Sequence, residues 1–131
     1  GLTIYESTWT ALLLTTESFD AGNKYSGSSY TVPKDGYYLV GSLYFAYEFA
    51  SSSPQNSSVK LAVKNNSTGI YYIIGAHWTQ VANAESVYVS GATIVYATAG
   101  QTLSLYVYQE IGDLGATTID HLFVVRLGVI T

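Results

Sequence analysis

Strands that are apolar on both faces constrain this chain more than any other feature. Side chains alternate between the two sides of a β-strand, and an antiparallel sandwich strand ordinarily shows one solvated face. Over Gly36 to Phe49, one face reads Tyr38, Val40, Ser42, Tyr44 and Ala46. The other reads Tyr37, Leu39, Gly41, Leu43, Phe45, Tyr47 and Phe49. Neither is strongly polar. Leu103 to Tyr108 behaves alike, with Leu103, Leu105 and Val107 opposing Ser104, Tyr106 and Tyr108. Near the C-terminus, Phe123, Val125, Leu127 and Val129 oppose Leu122, Val124, Arg126 and Ile130. A core covers one face of such a strand and leaves the other in need of a second cover. The aromatic enrichment predicts a subunit interface as that cover, with Tyr37, Leu39, Phe45, Tyr106 and Tyr108 as the residues expected there.

The rest of the chain supports an all-β reading. Short β-branched and aromatic runs alternate with Gly, Asn, Asp, Ser or Pro, without helical periodicity or internal repeat. Strands are predicted within Tyr5 to Leu14, over Tyr30 to Val32, Gly36 to Phe49, Val59 to Asn65 and Tyr71 to Thr79, then over Ser86 to Ala97, Leu103 to Ile111 and Thr118 to Ile130. The Ser-rich stretch Ser51 to Ser58 and the segment Gly112 to Thr117 read as loops. Eight or more strands punctuated by turns make a β-sandwich, of which the jelly roll is one arrangement. With 131 residues and no composition break, residues 1–131 read as one domain.

Charge narrows the partners. Five basic residues oppose nine acidic ones for a net charge of −4, and Lys24, Lys34, Lys60, Lys64 and Arg126 are scattered. No cluster could neutralise a run of phosphates, which argues against nucleic acid. Hydrophobic residues make up 48% and charged residues 11%, with thirteen tyrosines. So little charge leaves apolar surface that assembly would bury. There is no cysteine, so a disulfide framework and a cysteine nucleophile are excluded. The chain has no methionine, even at position 1, and reads as an excised or processed fragment. It shows no signal peptide and no apolar run long enough to insert in a membrane.

One segment resembles a known family. Tyr30-Thr31-Val32-Pro33-Lys34-Asp35-Gly36-Tyr37-Tyr38 is similar to the F-T-x-P-x-x-G-x-Y signature of complement C1q-like domains, which share a trimeric jelly roll with the tumour necrosis factor superfamily. Pro33 and Gly36 supply the turn that feeds the long strand, and Tyr38 would be the core aromatic. Phe19-Asp20 with Tyr25 and Gly27, Val59 to Asn66, and Ala97 to Leu105 resemble further family elements in the same order. Gln101 stands where the family usually has Asp, and Phe123 to Leu127 lacks the glycine of the C-terminal F-x-G-F pattern. The resemblance implies a homotrimeric, non-enzymatic recognition or adhesive head, such as the knob of a fibre or appendage. It would be extracellular, on a cell or virion surface, and would bind a receptor or glycan. A purely structural trimer and a monomeric carbohydrate-binding module are the alternatives.

Chemistry-bearing residues are few. His77 and His121 are isolated, and no Gly-x-Ser-x-Gly elbow accompanies them, so no catalytic residue is assigned. The acids show no pair suited to glycoside hydrolysis. Glu110 and Asp113 form the densest acidic loop, and the family resemblance makes them candidate calcium ligands, although their spacing matches no calcium-loop pattern. Trp78, His77, Tyr71 and Tyr72 are candidate ligand contacts, because aromatic side chains stack on sugars or anchor partners. Asn56, Asn65 and Asn66 fall in N-glycosylation patterns, which a Ser- and Asn-rich turn also produces by chance.

Overall fold

The computed structural model describes the backbone of residues 2–4, 8–12, 25–26, 29–48, 55–81, 86–109, 114–116 and 122–127, and the side chains of 8–12, 29–42, 59–76, 89–109 and 122–127. These residues form strands β1 (Leu2–Ile4), β2 (Thr10–Ala11), β3 (Tyr25–Ser26), β4 (Ser29–Thr31), β5 (Gly36–Glu48) and β6 (Gln55–Asn65). They continue with β7 (Tyr71–Val81), β8 (Ser86–Ala97), β9 (Thr102–Gln109), β10 (Leu114–Ala116) and β11 (Leu122–Arg126). No helix occurs among the described residues. The molecule is an all-β jelly-roll sandwich.

In the first sheet, β5 is central. Its full length pairs antiparallel with β8, while β11 and β10 share its other edge and β1 lies beyond β10. The second sheet runs β3-β4-β9-β6-β7, with β2 also on β9.

The alternation read from β5 determines what lies between the sheets. Tyr38 and Val40 point inward and are fully buried, joined by Val95 and Leu122 of the same sheet. Leu61, Val63, Leu103, Leu105 and Val107 close the core from the second sheet. Tyr38 is the largest fully buried side chain among the described residues, as expected of the core aromatic, and its hydroxyl donates to the Lys34 carbonyl. Full burial of each such apolar side chain is worth roughly 1.5–3 kcal/mol.

One end of the sandwich is tied by turns. Gly69 and Gly100 have φ of +78° and +88°, a left-handed conformation that favours glycine. The Asn65 carboxamide oxygen accepts from the Ser67 and Thr68 amides at 3.0 and 3.2 Å, closing the β6–β7 turn. Gln101 Oε1 accepts from Thr98 N at 2.9 Å and from Asn65 Nδ2 at 3.0 Å. Both bonds need only an acceptor oxygen, which is why a glutamine serves where the family usually has a carboxylate.

At one edge the sheets close on each other. A Cβ placed on Gly91 of β8 would lie 1.7 Å from the Ile74 carbonyl oxygen, and one on Gly75 would lie 2.7 Å from the Ser90 oxygen. The edge strands β7 and β8 therefore cross backbone to backbone, with room only for hydrogen at Gly91.

Two segments read as loops are partly strand. Gln55 to Ser58 extends β6, pairing with Trp78 to Val81 of β7. Leu114 to Ala116, inside the predicted loop Gly112 to Thr117, forms β10 between β1 and β5. Serine and glycine are poor strand formers, and here long-range pairing overrides local preference.

Candidate assembly and recognition faces

The two outer faces of the sandwich differ in how they are covered. On the first sheet, Tyr37, Ile94, Tyr96 and Val125 are 59%, 57%, 51% and 52% exposed. The register makes them one patch. Tyr37 pairs with Tyr96, Leu39 with Ile94, and Val125 with Leu39. The Tyr37 and Tyr96 rings meet edge to face at 5.2 Å. Gly41 keeps the patch flat, since a Cβ there would lie 2.8 Å from the Phe123 ring. Polar groups stand at one end. Arg126 Nη2 donates to the Asp35 carbonyl at 3.1 Å, and Asp35 Oδ1 accepts from Ala99 N at 2.8 Å.

On the second sheet the chain supplies its own cover. Tyr106 and Tyr108 of β9 point outward and are half-buried, while Leu103, Leu105 and Val107 point into the core. Trp9, placed beside β9 by the two-residue strand β2, lies 5.3 Å from Tyr108 and stacks on Tyr71 at 4.5 Å. Tyr71 meets Tyr106 edge to face at 5.4 Å. Lys60 and Lys64 extend over these rings, with ammonium-to-centroid distances of 5.1–5.7 Å. Their aliphatic stems add apolar cover while the charged ends stay near water.

The residues named from sequence therefore separate. Tyr37 and Leu39 lie on the first sheet's open patch, whereas Tyr106 and Tyr108 lie on the opposite sheet, Tyr108 against Trp9 and Tyr106 against Tyr71. The second cover over β9 comes from this chain's own Trp9 and lysine stems. Tyr71 and Tyr72, neighbours on a strand, face opposite ways, and Tyr72 packs on the core rather than beside Tyr71. Phe45 lies in β5, and His77 and Trp78 lie in β7 opposite Val59 and Ser58, but their side chains are outside the described ones. Glu110, Asp113, Asp120 and His121 lie outside the described residues altogether. Among the described residues no group of acids, histidines or cysteines could hold a metal ion. Asn65 is buried with its amide nitrogen bonded to Gln101, so it is no glycan acceptor in the folded chain. Asn66 is exposed, with its amide donating to Thr102 and Ser104 at 3.1 and 2.8 Å.

Sequence reading missed Ile94 and Tyr96. Their alternation with Val95 and Ala97 carries the same two-faced signal as β5. Trp9, like Trp78, reads from sequence as a residue that could stack on sugars, anchor a partner or pack in the core, but its partners do not, because they lie on β7 and β9, far along the chain.

No family model matches the chain, and no curated protein sequence does. Solved structures do. The globular domain of zebrafish complement 1qA protein aligns over 86% of this chain and 88% of its own, with a TM-score of 0.50 and 10% identity. Murine APRIL aligns over 95% and 96%, with a TM-score of 0.50 and 13% identity. The domain has the C1q/TNF-like fold. An Eiger TNF structure from S. frugiperda is also similar, at TM-score 0.48 and 19% identity over 79% of this chain and 66% of that one. At these identities the likeness is one of chain path. What this C1q/TNF-like domain does must be argued from its own two faces.

Proposed function

We infer that the chain is a non-enzymatic, homotrimeric recognition or adhesive head, displayed outside the cell or on a virion as the knob of a fibre or appendage. The observation that carries assembly is the open patch of Tyr37, Leu39, Ile94, Tyr96 and Val125. Four of its five side chains are half or more exposed, and covering each gains about 1 kcal/mol. The patch is built almost wholly of uncharged side chains, which suits burial against another copy. A three-fold ring joins two different patches on each chain. The C1q/TNF-like fold supports this reading, since trimeric assembly is what the family resemblance implies.

Recognition follows from what assembly leaves free. The outer face of the second sheet carries aromatic rings and cations on a preformed scaffold, the arrangement of a binding surface. In a purely structural trimer the same face would meet only water. Fluorescently labelled protein is expected to bind its target cells saturably, with unlabelled protein competing. Binding that stays linear with concentration and is not competed would contradict recognition and leave the structural trimer.

A further inference from the structure

The cover over Tyr106 and Tyr108 is more than a hydrophobic seal. Lys60 and Lys64 are two of the chain's five basic residues, and β6 holds both on this face. Lys60 Nζ lies 5.7 Å from the Tyr108 ring centre, while Lys64 Nζ lies 5.1 Å from that of Tyr71 and 5.2 Å from that of Tyr106. The single carboxylate among the described side chains, Asp35, is engaged with Ala99 N beside the first sheet's patch. Among the described residues the two ammonium groups thus face rings rather than acids. A ring takes up one side of an ammonium and leaves its other N–H donors turned to solvent. On a chain of net charge −4, this makes a local positive site set in an aromatic surface.

That combination selects a ligand. A cluster of half-buried rings favours a partner with an apolar face of its own, and sugar rings present one through their axial C–H groups. The lysines demand anions. Four residues along an extended strand place the two lysine Cα atoms roughly 13 Å apart, longer than one sugar ring. We propose that the outer face of the second sheet, at Trp9, Tyr71, Tyr106, Tyr108, Lys60 and Lys64, binds an acidic oligosaccharide bearing carboxylate or sulfate groups on more than one sugar. Sugar rings lie against the open parts of the Trp9, Tyr71, Tyr106 and Tyr108 cluster, and the anions meet Lys60 and Lys64 in charge-assisted hydrogen bonds. This rests on the recognition reading and names the chemistry of its target.

Calorimetric titration with hexasaccharides tests it, using a hyaluronan fragment, a heparin fragment and a neutral cellohexaose, with a poly-glutamate peptide as the acidic non-sugar. Binding of an acidic hexasaccharide is expected, weakening as salt rises, with cellohexaose at least tenfold weaker. Lys60→Gln and Lys64→Gln keep most of each stem and are each expected to lose roughly tenfold in affinity. Light scattering on each variant should return the wild-type mass, because neither lysine lies in the assembly patch. No binding of either acidic hexasaccharide at millimolar concentration would overturn the proposal. So would unchanged affinity in the double variant, or poly-glutamate binding as tightly as the sugars. A trimer that binds no acidic sugar refutes this proposal alone. A monomer refutes the assembly reading instead.

Discussion

Ile94→Asp should turn the assembly into monomers without unfolding the chain. Ile94 is 57% exposed in the single chain and sits mid-patch, with Leu39 beside it in register and Val125 beyond Leu39. In a monomer the new carboxylate is hydrated and costs little. Within an assembly it becomes an unpaired buried charge, a penalty of roughly 3–5 kcal/mol, and the subunit affinity falls about a hundredfold or more. Light scattering after size exclusion should read one chain mass at micromolar concentration, with the far-ultraviolet circular dichroism of the wild type. Tyr96→Asp should behave likewise. Lys60→Gln, on the other sheet, should not. A full-size assembly in both aspartate variants would mean that the patch lies outside the interface.

Gly91→Val is expected to have the largest effect on folding itself. A Cβ at this position would meet the Ile74 carbonyl oxygen at 1.7 Å and its carbon at 2.7 Å. Those atoms belong to the β7 backbone at a bulge held between the paired residues Ile73 and Gly75, and they cannot rotate aside as a side chain would. Relief requires β7 and β8 to separate, opening the core beside Ile74 and Val89. Overpacking of this kind costs about 3 kcal/mol or more, a fall in melting temperature of roughly 10 °C for a domain of this size. Gly69 provides the contrast. Nothing lies within 4 Å of a Cβ there, so Gly69→Ala bears only the left-handed backbone strain of roughly 1–2 kcal/mol. A Gly91→Val protein that melts with the wild type would show that the two sheets do not cross at this glycine.

Both predictions depend on features that the sequence revealed unequally. The strand from Gly36 and the strand from Ser86 to Ala97 were legible because alternation and flanking turns are local signals. Parity placed Tyr37 and Tyr38 on opposite faces, and the family resemblance made Tyr38 the core one. The start of β6 at Gln55 was not legible, since its Ser and Asn residues are strand only through pairing with Trp78 to Val81. The destination of Tyr106 and Tyr108 was hidden for a related reason. Their two-faced pattern announced a cover, and nothing local could show that Trp9, almost a hundred residues earlier, provides it. The open patch was half legible, through Tyr37 and Leu39. Its other half needed the β5–β8 register, which brings Tyr96 and Ile94 alongside. The crossing at Gly91 was not legible at all, because a glycine in a strand does not announce which backbone approaches it.

The central claim is that the open face of the first sheet is covered by other copies of the same chain. Multi-angle light scattering on the wild-type protein, across a dilution series after size exclusion, tests it most directly. A monodisperse particle of three times 14.1 kDa that persists into the micromolar range is expected. A particle of 14.1 kDa throughout the series would contradict it, leaving Tyr37, Ile94, Tyr96 and Val125 open to water in the working protein.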